Sequence, residues 1–495
     1  TTLMIIANNK EDLTKDISEF LEHIHDLGLV VVREDIFLEH CFWGQLPANF
    51  TFLRRQKVAS TNMVGGFAAL HDYPSGAMSG NHWGPAITIL NTVIDTPYYI
   101  NFHDGKCGHS LFAGPVNSGK TVLLNFLISQ SQKFKPKVIF IDSTGKSECF
   151  INALGGKYAI FSSQNHENNL TLNPFSQTPK DPKFIAEFLL SLVEFHKEKI
   201  TAEEQVLIQN IAQDISKSEV KNLQEAVEFF NKKESVNIHN KLSLWLTNKV
   251  LKDIFSDEEN LDLSQQVTGI NLAKIYEHKT ILVPILSYLL NKITKTLDGN
   301  PAILVLEDAW QIFDNKILGQ KVDSFLKLMA EKNCVVLLTC SDEQKVANSK
   351  ISKNILSNIA SQFYMPNPNI SKSYEAFGLN ADEIKVIKDM SNAENKFLFK
   401  HSDDAIIFDF SLKDSVEFLD ILSNSELTLE TMKNILSQTN VEEGQKISPN
   451  MWLEKFMNEL KDIEKKRIED IKTEIKLEKA KQRKRLREKF GSGID

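Results

Sequence analysis

The sequence predicts an α/β fold in which a mostly parallel, doubly wound sheet carries helices on both faces. Three observations lead there. Gly114–Thr121 fits G-x-x-x-x-G-K-[ST] and stands between an apolar run and a helical segment. Several short, continuously apolar runs have the character of buried parallel strands. These runs alternate with segments of helical spacing, the pattern of strand–helix–strand units.

The elements follow in order. Ile17–Leu27 has helical spacing, and Leu29–Arg33 is β-branched and strand-like. Between 60 and 100, clusters of Gly, Asn and Pro mark turns between short strands. His109–Ala113 leads into the glycine-containing loop, and Val122–Phe134 is the helix after it. Lys137–Asp142 reads as a buried strand ending in an acid, and Tyr158–Phe161 as another strand. Residues 182–295 alternate charged and apolar residues at helical spacing with almost no Gly or Pro, which predicts a helical insertion. Strand character resumes at Ala302–Leu306, Val335–Thr339 and Gln362–Met365. Pro449–Phe490 is almost free of breakers and reads as a helical tail. Its basic end, Lys476–Lys489, holds eight Lys/Arg against two Glu. That end is either a solvated helix or a surface for an acidic partner or anionic lipid.

Composition bounds the function. With 42% apolar and 25% charged residues the chain is globular, not collagenous, disulfide-scaffolded or wholly disordered. A net charge of −8 argues against a nucleic-acid coat protein. Cys41, Cys107, Cys149, Cys334 and Cys340 form no CxxC pair, so neither a disulfide framework nor a zinc site is expected. With no signal pattern, and apolar runs such as Ile281–Leu290 about half a membrane span long, a reducing, cytosolic location is expected. No arginine lies between Arg55 and Arg467, and lysine does not replace arginine at a bidentate phosphate site.

The loop carries the chemistry. Its residue types let successive N–H groups face phosphate oxygens, with glycine where backbone crowds the ligand. Gly114, Pro115, Val116, Asn117, Ser118, Gly119, Lys120, Thr121 and the following Val122 are the candidate nucleotide-binding residues. Lys120 is placed to reach the β/γ phosphates of ATP and the Thr121 hydroxyl to ligate Mg²⁺. A second acid is needed on a neighbouring strand. Glu307 and Asp308, after Ala302–Leu306, are the candidate catalytic and metal-proximal carboxylates, with Asp142 the runner-up.

Around these motifs the chain resembles the CagE/TrbE/VirB family of type IV secretion and conjugation ATPases. The resemblance rests on Phe42–Asn49 (FWGQLPAN), Gly80–Gly84, Thr96–Tyr98 with Asn101–His103, and Phe150–Lys157. It continues through Glu307–Trp310, Met365–Pro368, Phe377–Leu379 and Ser448–Leu453, all in family order. It implies a RecA-like P-loop NTPase core over 101–175 and 296–425, an all-helical insertion over 176–295, and a helical segment over 426–495. Residues 1–100 would be the tail of a preceding mixed domain. It further implies an ATP- and Mg²⁺-dependent energising subunit at the cytoplasmic face of the bacterial inner membrane. Such a subunit would be associated peripherally with other secretion components, self-assembled as a hexamer or dimer, and would act on a secreted protein or DNA substrate.

Three positions depart from the family pattern. The acid pair is inverted, Glu307 before Asp308. Cys340 stands where the family has a glutamine. The arginine usual near the final strand aligns with Asn395, leaving Lys396 or Lys400 as stand-in cations. Slow hydrolysis is therefore expected. The alternatives are a nucleotide-binding structural subunit of the same machine with little turnover, and a DNA-translocating motor.

Overall fold

The computed structural model describes residues 4–26, 31–52, 60–62, 65, 73–161, 170–176, 179–194, 200–231, 235–248, 251, 254–276, 278–370, 372–391, 395–402, 404–412, 418–423, 426–442 and 452–461. The chain divides into two units, Thr1–Pro74 and Ser75–Asp495.

In the first unit an amphipathic helix spans Lys10–Asp26, and short helical turns cover Leu38–Trp43 and Phe50–Phe52. The strand expected at Leu29–Arg33 is not formed over residues 31–33. Leu29 and Val30 lie outside the described residues. Val32, Ile36, Leu38, Phe42 and Phe50 are all exposed.

The second unit is built on one sheet of eleven described strands. They are β1 Thr88–Thr92, β2 Pro97–Ile100, β3 Ser110–Ala113, β4 Lys137–Asp142, β5 Lys157–Ile160, β6 Val267–Asn271, β7 Ala302–Leu306, β8 Cys334–Cys340, β9 Ser361–Tyr364, β10 Lys396–His401 and β11 Asp404–Asp409. The spatial order is β2-β1-β11-β10-β9-β3-β8-β7-β4-β6-β5. From β9 to β5 every pairing is parallel, and from β9 out to β2 every pairing is antiparallel. This is the mostly parallel sheet that the sequence predicts, with an antiparallel extension at one side. β3 lies between β8 and β9, and β7 between β8 and β4, so the phosphate loop and the acid pair leave the same edge of the sheet one strand apart.

The parallel strands are buried on both faces, as their continuous apolar runs require. Alternate residues feed two separate cores. Leu111, Ile139, Ile141, Leu304, Leu306, Val336 and Leu338 face one, with the insertion helices and the helix Lys279–Thr296. Phe112, Val138, Phe140, Ile303, Val305, Val335 and Leu337 face the other, with Leu123, Leu124, Leu127 and Ile128 of the helix Lys120–Ser131.

Two expected boundaries move. The insertion is not all-helical over 176–295. Helices at Pro182–Val193, Ala202–Lys217, Leu223–Glu228 and Val236–Thr247 are followed by β6, which enters the main sheet between β4 and β5. β6 is only five residues and contains Gly269, a poor strand former. That glycine is required by packing, because a Cβ there would stand 2.5 Å from the Tyr158 ring. Residues 75–100 also do not belong to a preceding domain, since β1 and β2 extend the main sheet through β11. At the carboxyl end, Glu426–Glu442 and residues 452–461 are helical. The basic run Lys476–Lys489 lies outside the described residues. No helix among the described residues is long and apolar enough to cross a membrane.

Candidate functional site

The phosphate loop begins as β3 ends and closes as the helix Lys120–Ser131 starts. Gly114 has φ 151°, and a Cβ there would meet Met365 Cβ at 2.7 Å, so only glycine fits beneath that side chain. Asn117 and Gly119 also take positive φ, 63° and 91°, which turns the backbone back on itself. Ser118 Oγ donates to Pro115 O at 2.7 Å and braces the turn. Val116 and Asn117 form the exposed tip, while Thr121 and Val122 are half-buried. Lys120 is 8% exposed, and its ammonium donates to the carbonyls of Gly114 (2.5 Å) and Pro115 (2.7 Å). Burial lowers its pKa to about 8, opposed first by the charge of Asp308 and then by the acidic side chains of Cys340 and Glu307. Those three side chains therefore lie within electrostatic range of the lysine.

Glu307 and Asp308 follow β7 directly. Glu307 is 8% exposed and reaches across to the β4 loop, where its Oε2 accepts from Ser143 N (3.0 Å) and Ser143 Oγ (3.3 Å). Desolvation, and next the charge of Asp142, push its carboxyl well above the usual range. Asp308 adopts φ 48°, ψ 48°, left-handed geometry uncommon outside glycine. Its N–H donates to Thr339 Oγ1 at 3.0 Å. Tyr276 Oη donates to the carbonyls of both Glu307 (2.8 Å) and Asp308 (3.1 Å). Thr121, Glu307 and Asp308 supply oxygen atoms only, the donor set suited to Mg²⁺. A cation there would also favour the ionised form of the buried Glu307.

Asp142, the runner-up acid, has a different task. It is fully buried and accepts from Thr144 N, Thr144 Oγ1 and Gly145 N on Oδ1, and from Ser147 N and Tyr158 Oη on Oδ2, at 2.6–3.0 Å. These bonds fold the loop Ser143–Ser147 around the carboxylate. The same loop contains a second Gly-Lys-[Ser/Thr] run, Gly145–Ser147, but Asp142 already fills its concavity of N–H groups.

Cys340 is buried at the end of β8. Its carbonyl accepts from Gly114 N at 3.2 Å, and its thiol donates to Asp342 O at 3.3 Å. Burial pushes that thiol up to about 12. Of the two stand-in cations, Lys400 is misplaced. It pairs in register with Gln362, which lies level with Leu111 rather than with the loop. Its ammonium is engaged with Glu383 at 2.9 Å. Lys396 sits at the loop end of β10, opposite Asp409. Lys345 was not singled out from the sequence, having no motif around it. It lines the same small cleft as Asp308, Cys340 and Gln311, and bonds to Gln311 Oε1 at 3.2 Å.

Residues 1–55 match the CagE, TrbE, VirB family, a component of type IV transporter systems. Over 468 residues the chain is 29% identical to the type IV secretion system protein VirB4 of Bartonella henselae, covering 92% of this chain and 58% of that protein. The chain is similar in sequence to VirB4 proteins. The VirB4 protein of Agrobacterium tumefaciens is 25% identical over 467 residues, with the same coverage of both chains. The type IV secretion protein PtlC of Bordetella pertussis is 23% identical over 492 residues, with the same shares covered. The chain thus spans somewhat more than half the length of these relatives. Among solved structures, VirB4 of Thermoanaerobacter pseudethanolicus superposes with a TM-score of 0.54 at 12% identity, over 68% of this chain and 98% of that one. At that identity the likeness concerns the fold.

Proposed function

We propose that this chain is the ATP-binding, energising part of a type IV secretion subunit, coupling binding and slow hydrolysis of Mg²⁺-ATP to translocation or channel assembly. The observation that carries the reading is a complete phosphate loop with a buried Lys120 that leaves the sheet one strand away from Glu307 and Asp308, within electrostatic range of both. The loop N–H groups and the start of the helix Lys120–Ser131 would hold the phosphates. Lys120 would exchange its two loop carbonyls for phosphate oxygens, a stronger charge-assisted contact. Thr121 and Glu307 would hold Mg²⁺, which supplies charge neutralisation on the phosphates when bound. Asp308 would orient the attacking water.

A second reading, a nucleotide-binding structural subunit with little turnover, is favoured by one observation. Glu307 reaches over to Ser143 and the neighbourhood of Asp142, where burial and the Asp142 charge oppose its ionisation. Partners on either reading are other secretion components and further copies of the chain, hexameric or dimeric, at the cytoplasmic face of the inner membrane. Titration calorimetry with ATP tests the site. Lys120→Ala should weaken binding at least about tenfold, the loss of a charge-assisted contact of about 1.5–3 kcal/mol. Unchanged affinity would remove the assignment. Steady-state phosphate release on the same sample separates the two readings.

A further inference from the structure

The left-handed Asp308 needs an explanation, because a non-glycine residue in that region is held there by its surroundings. Two side chains from different elements hold it. Thr339 at the end of β8 accepts the Asp308 N–H. Tyr276, on the short helix Ala273–Tyr276 that follows β6, donates its single hydroxyl proton to both carbonyls of the acid pair. Tyr276 is 5% exposed, and desolvation, with the nearby Asp308 and Glu307 charges, raises its pKa, so it remains a donor at any working pH. Its own carbonyl accepts from Gln311 Nε2 at 3.4 Å, which ties it to the helix Ala309–Phe313 after Asp308. Rotation of the 307–308 peptide out of this clamp would swing the Asp308 carboxylate away from Lys120.

We propose that Tyr276 is a positioning residue for the acid pair, with Thr339 as its counterpart, setting where Glu307 and Asp308 present their carboxylates to metal and water. This rests on the nucleotide-site reading above. It assigns a role to the segment joining the helical insertion to the ATPase core. A displacement of β6 or of the helix behind it would be felt at the carboxylates through one hydroxyl.

The test is Tyr276→Phe, which removes only the hydroxyl and leaves the ring to fill its place. Tyr288→Phe is the control, removing another fully buried hydroxyl, bonded to Glu259 away from the acid pair. Nucleotide affinity without metal, the Mg²⁺ concentration for half-maximal enhancement of that affinity, kcat, KM and thermal midpoint are measured for each. For Tyr276→Phe, kcat should fall about five- to tenfold, the kinetic equivalent of one lost hydrogen bond. The Mg²⁺ half-point should rise about threefold or more on the same reasoning, with KM and metal-free affinity unchanged. Tyr288→Phe should move only the thermal midpoint. Thr339→Val should reproduce the kinetic phenotype, and Thr339→Ser, which keeps the hydroxyl, should restore it. An unchanged Mg²⁺ half-point in Tyr276→Phe, or a parallel loss of metal-free affinity, would overturn the proposal. If the wild type hydrolyses no ATP, the enzymatic reading fails by itself and the Mg²⁺ half-point still decides this one.

Discussion

Replacing Asp142 by asparagine discriminates sharply between a metal ligand and a structural carboxylate. The structure assigns Asp142 five donors, three on Oδ1 and two on Oδ2. Asparagine keeps an oxygen for the Thr144 and Gly145 set but turns an NH₂ group toward Ser147 N–H and Tyr158 Oη. The tyrosine hydroxyl can rotate to accept, whereas the Ser147 N–H cannot. A buried donor without a partner costs about 1–3 kcal/mol, and weakening the charge-assisted bonds on Oδ1 adds about 1 kcal/mol. A loss of about 2–4 kcal/mol is therefore expected, read by urea denaturation as a lower midpoint at unchanged slope. Metal-free nucleotide affinity should stay within about twofold, since the lost bonds fold the β4 loop and not the phosphate loop. Removing the Asp142 charge should also let Glu307 ionise more readily, so the Mg²⁺ half-point should hold or fall. A variant as stable as wild type that has lost its Mg²⁺ dependence would refute this reasoning and make Asp142 a metal ligand.

Two other outcomes follow from the same geometry. Glu307→Asp combined with Asp308→Glu should raise the hydrolysis rate, by about tenfold if one poorly placed carboxylate limits it. The shorter acid at 307 can no longer reach Ser143, and the longer one at 308 extends toward the water. A brisk wild-type rate, on the order of 10 s⁻¹, that falls on this exchange would show the inverted pair to be the working arrangement. His109 is buried, with Nε2 donating to Leu326 O (2.7 Å) and Nδ1 accepting from Val336 N (3.0 Å), and burial lowers its pKa from 6.5 to about 4. The neutral ring thus contributes stability that is full above pH 6.5 and lost as pH falls through that range toward 4, about 3 kcal/mol in all. His109→Gln, with one acceptor and one donor in similar places, should match wild type near pH 7.5 and lose stability less steeply below 6.5. Identical acid denaturation profiles would exclude His109 as a source.

The amino-acid sequence by itself determined what is local. Gly114–Thr121 is recognisable without coordinates, because phosphate binding demands particular residue types at fixed spacing. β4, β7 and β8 announce themselves because a strand buried on both faces must be apolar throughout. The acid pair is legible as the polar end of such a strand. Pairing between distant segments was left to the tertiary structure. β6 has five residues and a glycine, and only insertion between β4 and β5 makes it a strand. β1 and β2 join the main sheet through a partner more than 300 residues away in sequence. Lys400 and Lys396 are equivalent as letters, but antiparallel register carries one away from the loop and leaves the other at the loop end of its strand. Asp142 and Glu307 both end apolar strands in an acid. Their tasks separate only when the donors around each are known, five amide and hydroxyl groups closing on the first while the second is buried beside a like charge. Tyr276 has no sequence signature, because its role depends on one hydroxyl meeting two carbonyls from a distant segment.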